Sequence, residues 1–278
     1  MDTHEVYPNA PLALVAVEVR FPGNALGEAT TLPPSAQRTF RDILGDQWVL
    51  DPVKRQNVLV TFNSAGMVEN KSQSVTLPRF TTRDRTTAVA VTAASVTIET
   101  TSYRHYPEFR RVLEAVFRAT GDVLAPDGVA RLGMRYIDEI QVSELVEGHP
   151  AGWREWLHPS LVPPAFTCGE SGELGPTGWQ STVQYPCSSE ENLVLRYGPR
   201  SDPLINPNSL LKRSRVLSPG SLFVLDFDSY WEPATIPEYD AEALVTACDR
   251  LRLPIRRMFD LLVTERLVGE FRKERSDD

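Results

Sequence analysis

Asp226 and Asp228 stand two residues apart in the run Leu225-Asp-Phe-Asp-Ser-Tyr230. In a strand that spacing puts both carboxylates on one face. Two acids on one face can share acid and base roles or hold a cation; the plainer reading is a solvated strand edge. Asp138 and Glu139 form a second acidic pair. Two arginines each precede an aromatic residue: Arg20 before Phe21, and Arg135 before Tyr136. Glu18 falls two residues before Arg20 on the same strand face, so a structural ion pair is the simple account. The other account is a polar groove that takes a carboxylate or a peptide backbone. Arg131 shares a face with Arg135, with Glu139 beyond. Arg79, Arg83 and Arg85 have counterparts in Lys212, Arg213 and Arg215. These read as solvated turns, or as a basic strip for an acidic peptide.

No known catalytic set accompanies these groups. The chain has no Gly-x-Ser-x-Gly elbow, no Gly-x-x-x-x-Gly-Lys-Ser/Thr loop and no Gly-x-Gly-x-x-Gly turn. The Gly-rich stretch 167–178 carries Glu170 and Glu173 and no lysine, so it would repel a phosphate. His4, His105, His149 and His158 are scattered, and Cys168, Cys187 and Cys248 form no Cys-x-x-Cys pair. A zinc site and a disulfide framework are therefore not expected. We assign no catalytic residue, no metal ligand and no cofactor. The formal net charge of −8 disfavours general nucleic-acid binding, which depends on releasing counterions from phosphates. No apolar run is long enough for a membrane span, and the polar start lacks the features of a signal peptide, so a cytoplasmic protein is expected.

The elements that must position these groups recur in order. Residues 12–21 alternate strictly, with Ala13, Val15, Val17, Val19 and Phe21 on one side. A short helix follows, with Ser35 as N-cap and Gly45 as stop, then strands over 56–62, 74–80 and 88–99. Residues 107–120 carry the helical stripe Phe109, Val112, Leu113, Val116 and Phe117, ended by Gly121. The second half repeats this: a strand over 130–140, a short helix over 152–157, strands over 180–185, 192–197 and 221–227, and a helix over 240–271. The seam of that last helix is Leu244, Cys248, Leu251, Ile255, Met258, Phe259 and Leu262, and Pro254 is expected to kink or break it. The stretches 167–178 and 198–220 read as long loops.

The expected fold is α+β: two diverged β-α-β(3-4)-α units, residues 1–122 and 123–278, forming antiparallel sheets with the long helices on one face. The element order is like that of a duplicated TATA-box-binding-type unit. A pseudo-two-fold would place Arg20 on Arg135.

Tyr7-Pro-Asn-Ala-Pro11, Val17-Glu-Val-Arg-Phe21, Tyr103-x-x-Tyr-Pro-x-Phe109 and Leu132-Gly-Met-Arg-Tyr-Ile137 together resemble a sporadically distributed bacterial family of similar length. The resemblance runs from Tyr7 to about Phe259. It implies no general chemistry; it implies an accessory protein, found at times as a paralogue pair, with a peptide-binding role in a natural-product pathway. This chain departs from that pattern at Pro254.

Long β stretches, strand-end aromatics (Phe21, Tyr103, Tyr136, Tyr230, Trp231) and the lack of a catalytic set point to a non-catalytic protein that binds a peptide or protein partner, or pairs with a paralogue or second copy. Glu18, Arg20, Arg135, Tyr103 and Tyr230 are the candidate contact residues. The alternative is an enzyme of unrecognised type, acting in a cleft between the two units. Membrane and nucleic-acid partners are not expected.

Overall fold

The alternation in the first strand decides which way it faces. In β1 (Leu12–Arg20), Ala13, Val15, Val17 and Val19 are buried on one side. The computed structural model describes residues 7–23, 25, 31–62, 68–142, 150–164, 166–167, 173–174, 178–205, 211–213, 217 and 220–273. After β1 come α1 (Pro34–Leu44), β2 (Trp48–Leu50), β3 (Val53–Phe62), β4 (Val68–Leu77), β5 (Arg79–Thr82), β6 (Thr87–Val91), β7 (Ser95–Thr100) and α2 (Tyr106–Leu124). The second half holds β8 (Arg131–Ile140), 3-10 turns at Pro150–Glu155 and Pro159–Leu161, and the two-residue strands β9 (Phe166–Thr167) and β10 (Glu173–Leu174). It continues with β11 (Ser181–Pro186), β12 (Glu191–Arg200), β13 (Leu222–Trp231), α3 (Ala241–Leu262) and α4 (Glu265–Arg272).

Nine strands form one sheet in the order β11-β12-β13-β8-β1-β7-β6-β5-β2, and each neighbouring pair is antiparallel. A single sheet replaces the separate sheets expected, because the two leading strands pair with each other: Val17 lies opposite Met134 and Arg20 opposite Arg131. From that central pair the order runs outward as β1-β7-β6-β5 on one side and β8-β13-β12-β11 on the other. The ribbons β3–β4 and β9–β10 stand outside the sheet.

The helices pack on one face, α2 between α1 and α3, and α3 across β8, β12 and β13. One core joins both halves, from Val17, Ile98 and Phe117 to Met134, Phe227, Cys248 and Leu251. The N-terminal segment closes onto α4: Asn9 N donates to Phe271 O at 3.0 Å, and Tyr7 packs on the Phe271 ring. No helix among the described residues is long and apolar enough to cross a membrane.

Several boundaries differ from expectation for local reasons. Helix α1 starts at Pro34 behind Pro33, with no side-chain cap, so Ser35 lies inside it. Proline at the first turn loses no helical hydrogen bond. Pro78 splits the expected 74–80 strand into β4 and β5, since it has no N–H for a ladder. The expected 88–99 strand is a hairpin whose turn has neither Gly nor Pro. Thr92 Oγ1 instead accepts from Ala94 N and Ser95 N, at 3.2 and 2.9 Å. Helix α2 begins one residue earlier, with the His105 side chain accepting from Glu108 N, and runs through Gly121 to an αL cap at Ala125. The 152–157 helix is the 3-10 turn Pro150–Glu155. Pro254 sits within α3, and the break comes instead at Val263–Thr264, where Thr264 Oγ1 caps α4 by accepting from Leu267 N.

The other face of the sheet is crossed at one end by the chain leaving β12. Ile205 N donates to Glu139 Oε1 at 2.8 Å, and Arg213 pairs with Glu139 Oε2 while donating from Nη1 to Ile205 O at 2.9 Å. Lys212 then reaches the first half: its N–H donates to Arg85 O at 2.8 Å, and its carbonyl accepts from Thr101 Oγ1. A second, small core lies here, with Ile137, Leu222 and Val224 against Leu14, Ile205 and Leu217. The expected 198–220 loop begins within β12, which runs to Arg200, and its residues 206–210, 214–216 and 218–219, Arg215 among them, lie outside the described residues.

Two stability measurements check this packing. Phe117 is fully buried, so Phe117→Ala is expected to cost about 3–5 kcal/mol in urea unfolding. Glu139 is 0 % and Arg213 6 % exposed. Arg213→Met alone leaves a buried carboxylate unpaired and is expected to cost about 3–5 kcal/mol, much of it recovered in Arg213→Met/Glu139→Gln.

Candidate functional site

Because side chains alternate along a strand, everything that does not point at the helices points to the opposite, open face. That rule assembles a charged surface from four adjacent strands. β1 contributes Glu18 and Arg20, β8 contributes Arg131 and Arg135, β13 contributes Asp226, Asp228 and Tyr230, and β12 contributes Arg196. Arg135 binds Asp226 with two hydrogen bonds, from Nε and Nη2, each 2.7 Å. The Asp226 side chain is 5 % exposed and that of Arg135 44 %. Those hydrogen bonds hold the Arg135 guanidinium above its ordinary pKa, against partial burial. Arg196 lies 3.7 Å from Asp226 and 3.9 Å from Asp228. Arg131 sits among Glu18, Asp228 and Glu232 at 3.5–3.8 Å and stacks 4.5 Å above the Tyr230 ring. A Cβ at Gly133 would meet the Arg131 guanidinium at 2.5 Å, so glycine there lets that side chain lie flat across β8.

The network opens into a cleft of about 270 Å³ between β8, β13, β12 and the start of β11. Its charged lining residues are Arg135, Arg196, Arg200 and Asp226; Gln180, Ser181 and Thr182 add polar groups, and Val224 and Leu204 an apolar wall. Gly198 shapes it: a Cβ there would overlap the Trp179 carbonyl, so glycine lets the segment before β11 lie against β12.

The expected contact residues fall in different places. Glu18 and Arg20 pair with each other at 2.8 Å on the exposed surface, as the simple account had it. Arg20 faces Arg131 across the ladder, whereas Arg135 faces Ala16, so Arg20 and Arg135 make separate ion pairs and do not meet. Tyr230 is on the open face, where its hydroxyl accepts from Gln184 Nε2 at 3.2 Å. Tyr103 is not. It packs in the helix layer against Phe109 and Tyr136, and accepts a 3.2 Å hydrogen bond from the Tyr136 hydroxyl. Burial pushes both phenols up in pKa.

Asp226 and Asp228 do share a face, but on an interior strand flanked by arginines rather than at a solvated edge. Both oxygens of Asp226 are taken by Arg135. Among the described residues no group of three or more His, Cys, Asp or Glu is placed to hold a metal ion. The basic strip is also dispersed. Arg79 is buried beside Asp51, Arg83 donates to Asp46 O, Arg85 pairs with Asp51, and Arg213 serves Glu139.

Sequence reasoning missed Arg196 and Arg200. The signal was present: Leu-Arg196-Tyr repeats the Arg-aromatic step of Arg20-Phe21 and Arg135-Tyr136, and Arg200 follows at an even spacing. A scan against protein-family models finds no match, and no curated protein sequence matches the chain.

The second acidic pair divides between the two faces. Glu139 goes to the open side, and its neighbour Asp138 falls in register with Tyr136 and Ile140 on the helix side. Desolvation by burial pushes the Asp138 carboxyl up from 3.8 to about 8. A raised carboxyl pKa means the folded state holds a proton that the unfolded chain releases. The associated stability is fully present below about pH 3.8 and is lost as pH rises through about 8. Asp138→Asn, which cannot ionise, is therefore expected to melt higher than the parent at about pH 9, with the gap closing toward about pH 4.

Proposed function

We propose that this protein is a non-catalytic binding protein that receives an extended peptide segment of a partner at the open end of its sheet and holds it for that partner's chemistry. The observation that carries the reading is the position of the cleft beside β11. That strand ends the sheet, and among the described residues no further strand pairs with its outer edge. An unpaired edge offers backbone N–H and C=O groups to an added strand, while alternate side chains of that strand meet the pockets alongside. Thr182, Gln184 and Pro186 alternate as exposed residues along β11, and Thr182 also lines the cleft. The accessory role implied by the resemblance agrees with this.

The same strand order in the two halves supports reading the chain as a duplicated β-α-β-α unit built about the β1–β8 pair. The cleft is lined only by residues from 135 onward, so it belongs to the second unit and does not lie between the two. That speaks against an enzyme working at their junction.

Selection of a random peptide library on the purified protein tests the reading. Extended, β-branched peptides are expected to be enriched, and to lose binding when Thr182 and Gln184 are both replaced by bulky charged residues. Turnover of a small molecule by the purified protein, abolished by Asp228→Asn with the fold preserved, would overturn it.

A further inference from the structure

We infer that the cleft formed by Arg135, Arg196 and Arg200 is a carboxylate subsite, which gives the binding protein a preference for a segment carrying an acidic side chain. The inference rests on the peptide-binding reading for its biological source, and on the cleft alone for its chemistry.

Three guanidinium groups and one carboxylate line the cleft, in a chain whose formal net charge is −8. Asp226 neutralises one of the three, and geometry says which. Its two oxygens each accept a 2.7 Å hydrogen bond from Arg135. Arg196 touches Asp226 and Asp228 only at 3.7 and 3.9 Å, and its side chain is 43 % exposed. Arg200 uses Nε on the Asp202 carbonyl at 3.2 Å. Among the described residues the Arg196 side chain makes no hydrogen bond, its Nη atoms lying in longer ion pairs with Asp226 and Asp228, and the Arg200 side chain makes none besides that one, while both line the cleft. They lie four residues apart on β12, so they share its open face. Planar guanidinium forks match a carboxylate with paired hydrogen bonds.

Size and walls narrow the class. About 270 Å³ admits a side chain, not a nucleotide or a large cofactor. Leu204 and Val224 form the apolar wall, which suits the methylenes of a glutamate below its carboxylate. Asp226 on the floor penalises a more highly charged phosphate. A strand added at β11 would bring alternate side chains over Thr182, beside this cleft.

Calorimetric titration of the purified chain uses three probes: N-acetylglutamate amide, its neutral glutamine counterpart, and inorganic phosphate. The glutamate probe is expected to bind weakly and the glutamine probe not at all. Arg196→Gln and Arg200→Gln, checked for folding by thermal melting, are each expected to weaken glutamate binding about tenfold, with Arg196→Lys restoring part of it. Should Arg196→Gln fail to fold, Arg200→Gln decides. Equal binding of the glutamate and glutamine probes, binding unchanged in the folded variants, or a preference for phosphate overturns the subsite. The two readings fail separately. Glutamate binding with no peptide enriched leaves the subsite and removes the peptide role; enrichment of peptides without acidic residues does the reverse.

Discussion

The pairing of β1 with β8 is the constraint on which the rest of the molecule depends. The helix-facing side of β1 is wholly apolar, and that of β8 is apolar but for Asp138. Joined antiparallel, they merge the halves into nine strands over one core, with Val15, Val17 and Val19 beside Leu132, Met134 and Tyr136. The pleat then leaves no choice for the intervening residues. Glu18, Arg20, Arg131 and Arg135 must all emerge on the face opposite the helices.

A sheet with charges on its interior strands has to neutralise them in place, since β8 and β13 have no edge at which to hydrate them. The open face does so with alternating rows: acids on β13 between arginines on β8 and β12. The pairs differ in what they contribute. Glu18–Arg20 is exposed and adds little stability. Arg135–Asp226 satisfies a carboxylate that is almost out of water, so Arg135 is first a structural residue. Glu139–Arg213 is fully buried and ties the chain after β12 onto the sheet, linking it through Lys212 to the turn before β6. The arginine surplus is therefore left on β12, where the row has no further acid beyond it.

Much of the fold could be read from the sequence. Period-2 alternation identified β1 and its buried side, and the i, i+3, i+4 stripe identified α2. These are local consequences of side-chain spacing, so one segment carries all the information needed. Boundaries failed where a side chain replaced an expected breaker: Thr92 made a turn without Gly or Pro, and Thr264 capped α4 beyond the proline expected to kink or break the helix.

The candidate site was legible only in part. Residue spacing determined that Asp226 and Asp228 share a face, that Glu18 lies beside Arg20, and that Arg135 is exposed to the side opposite Tyr136. Tertiary structure decided the partners. Asp226 met Arg135, 91 residues before it in the chain, because β13 lies next to β8. Tyr103 turned into the helix layer because the segment after β7 leads straight into α2. Arg196 and Arg200 became a cleft because β11 folds back beside β12. Register between distant strands is set by how the apolar sides of all nine strands fit over one core, and no single segment holds that information.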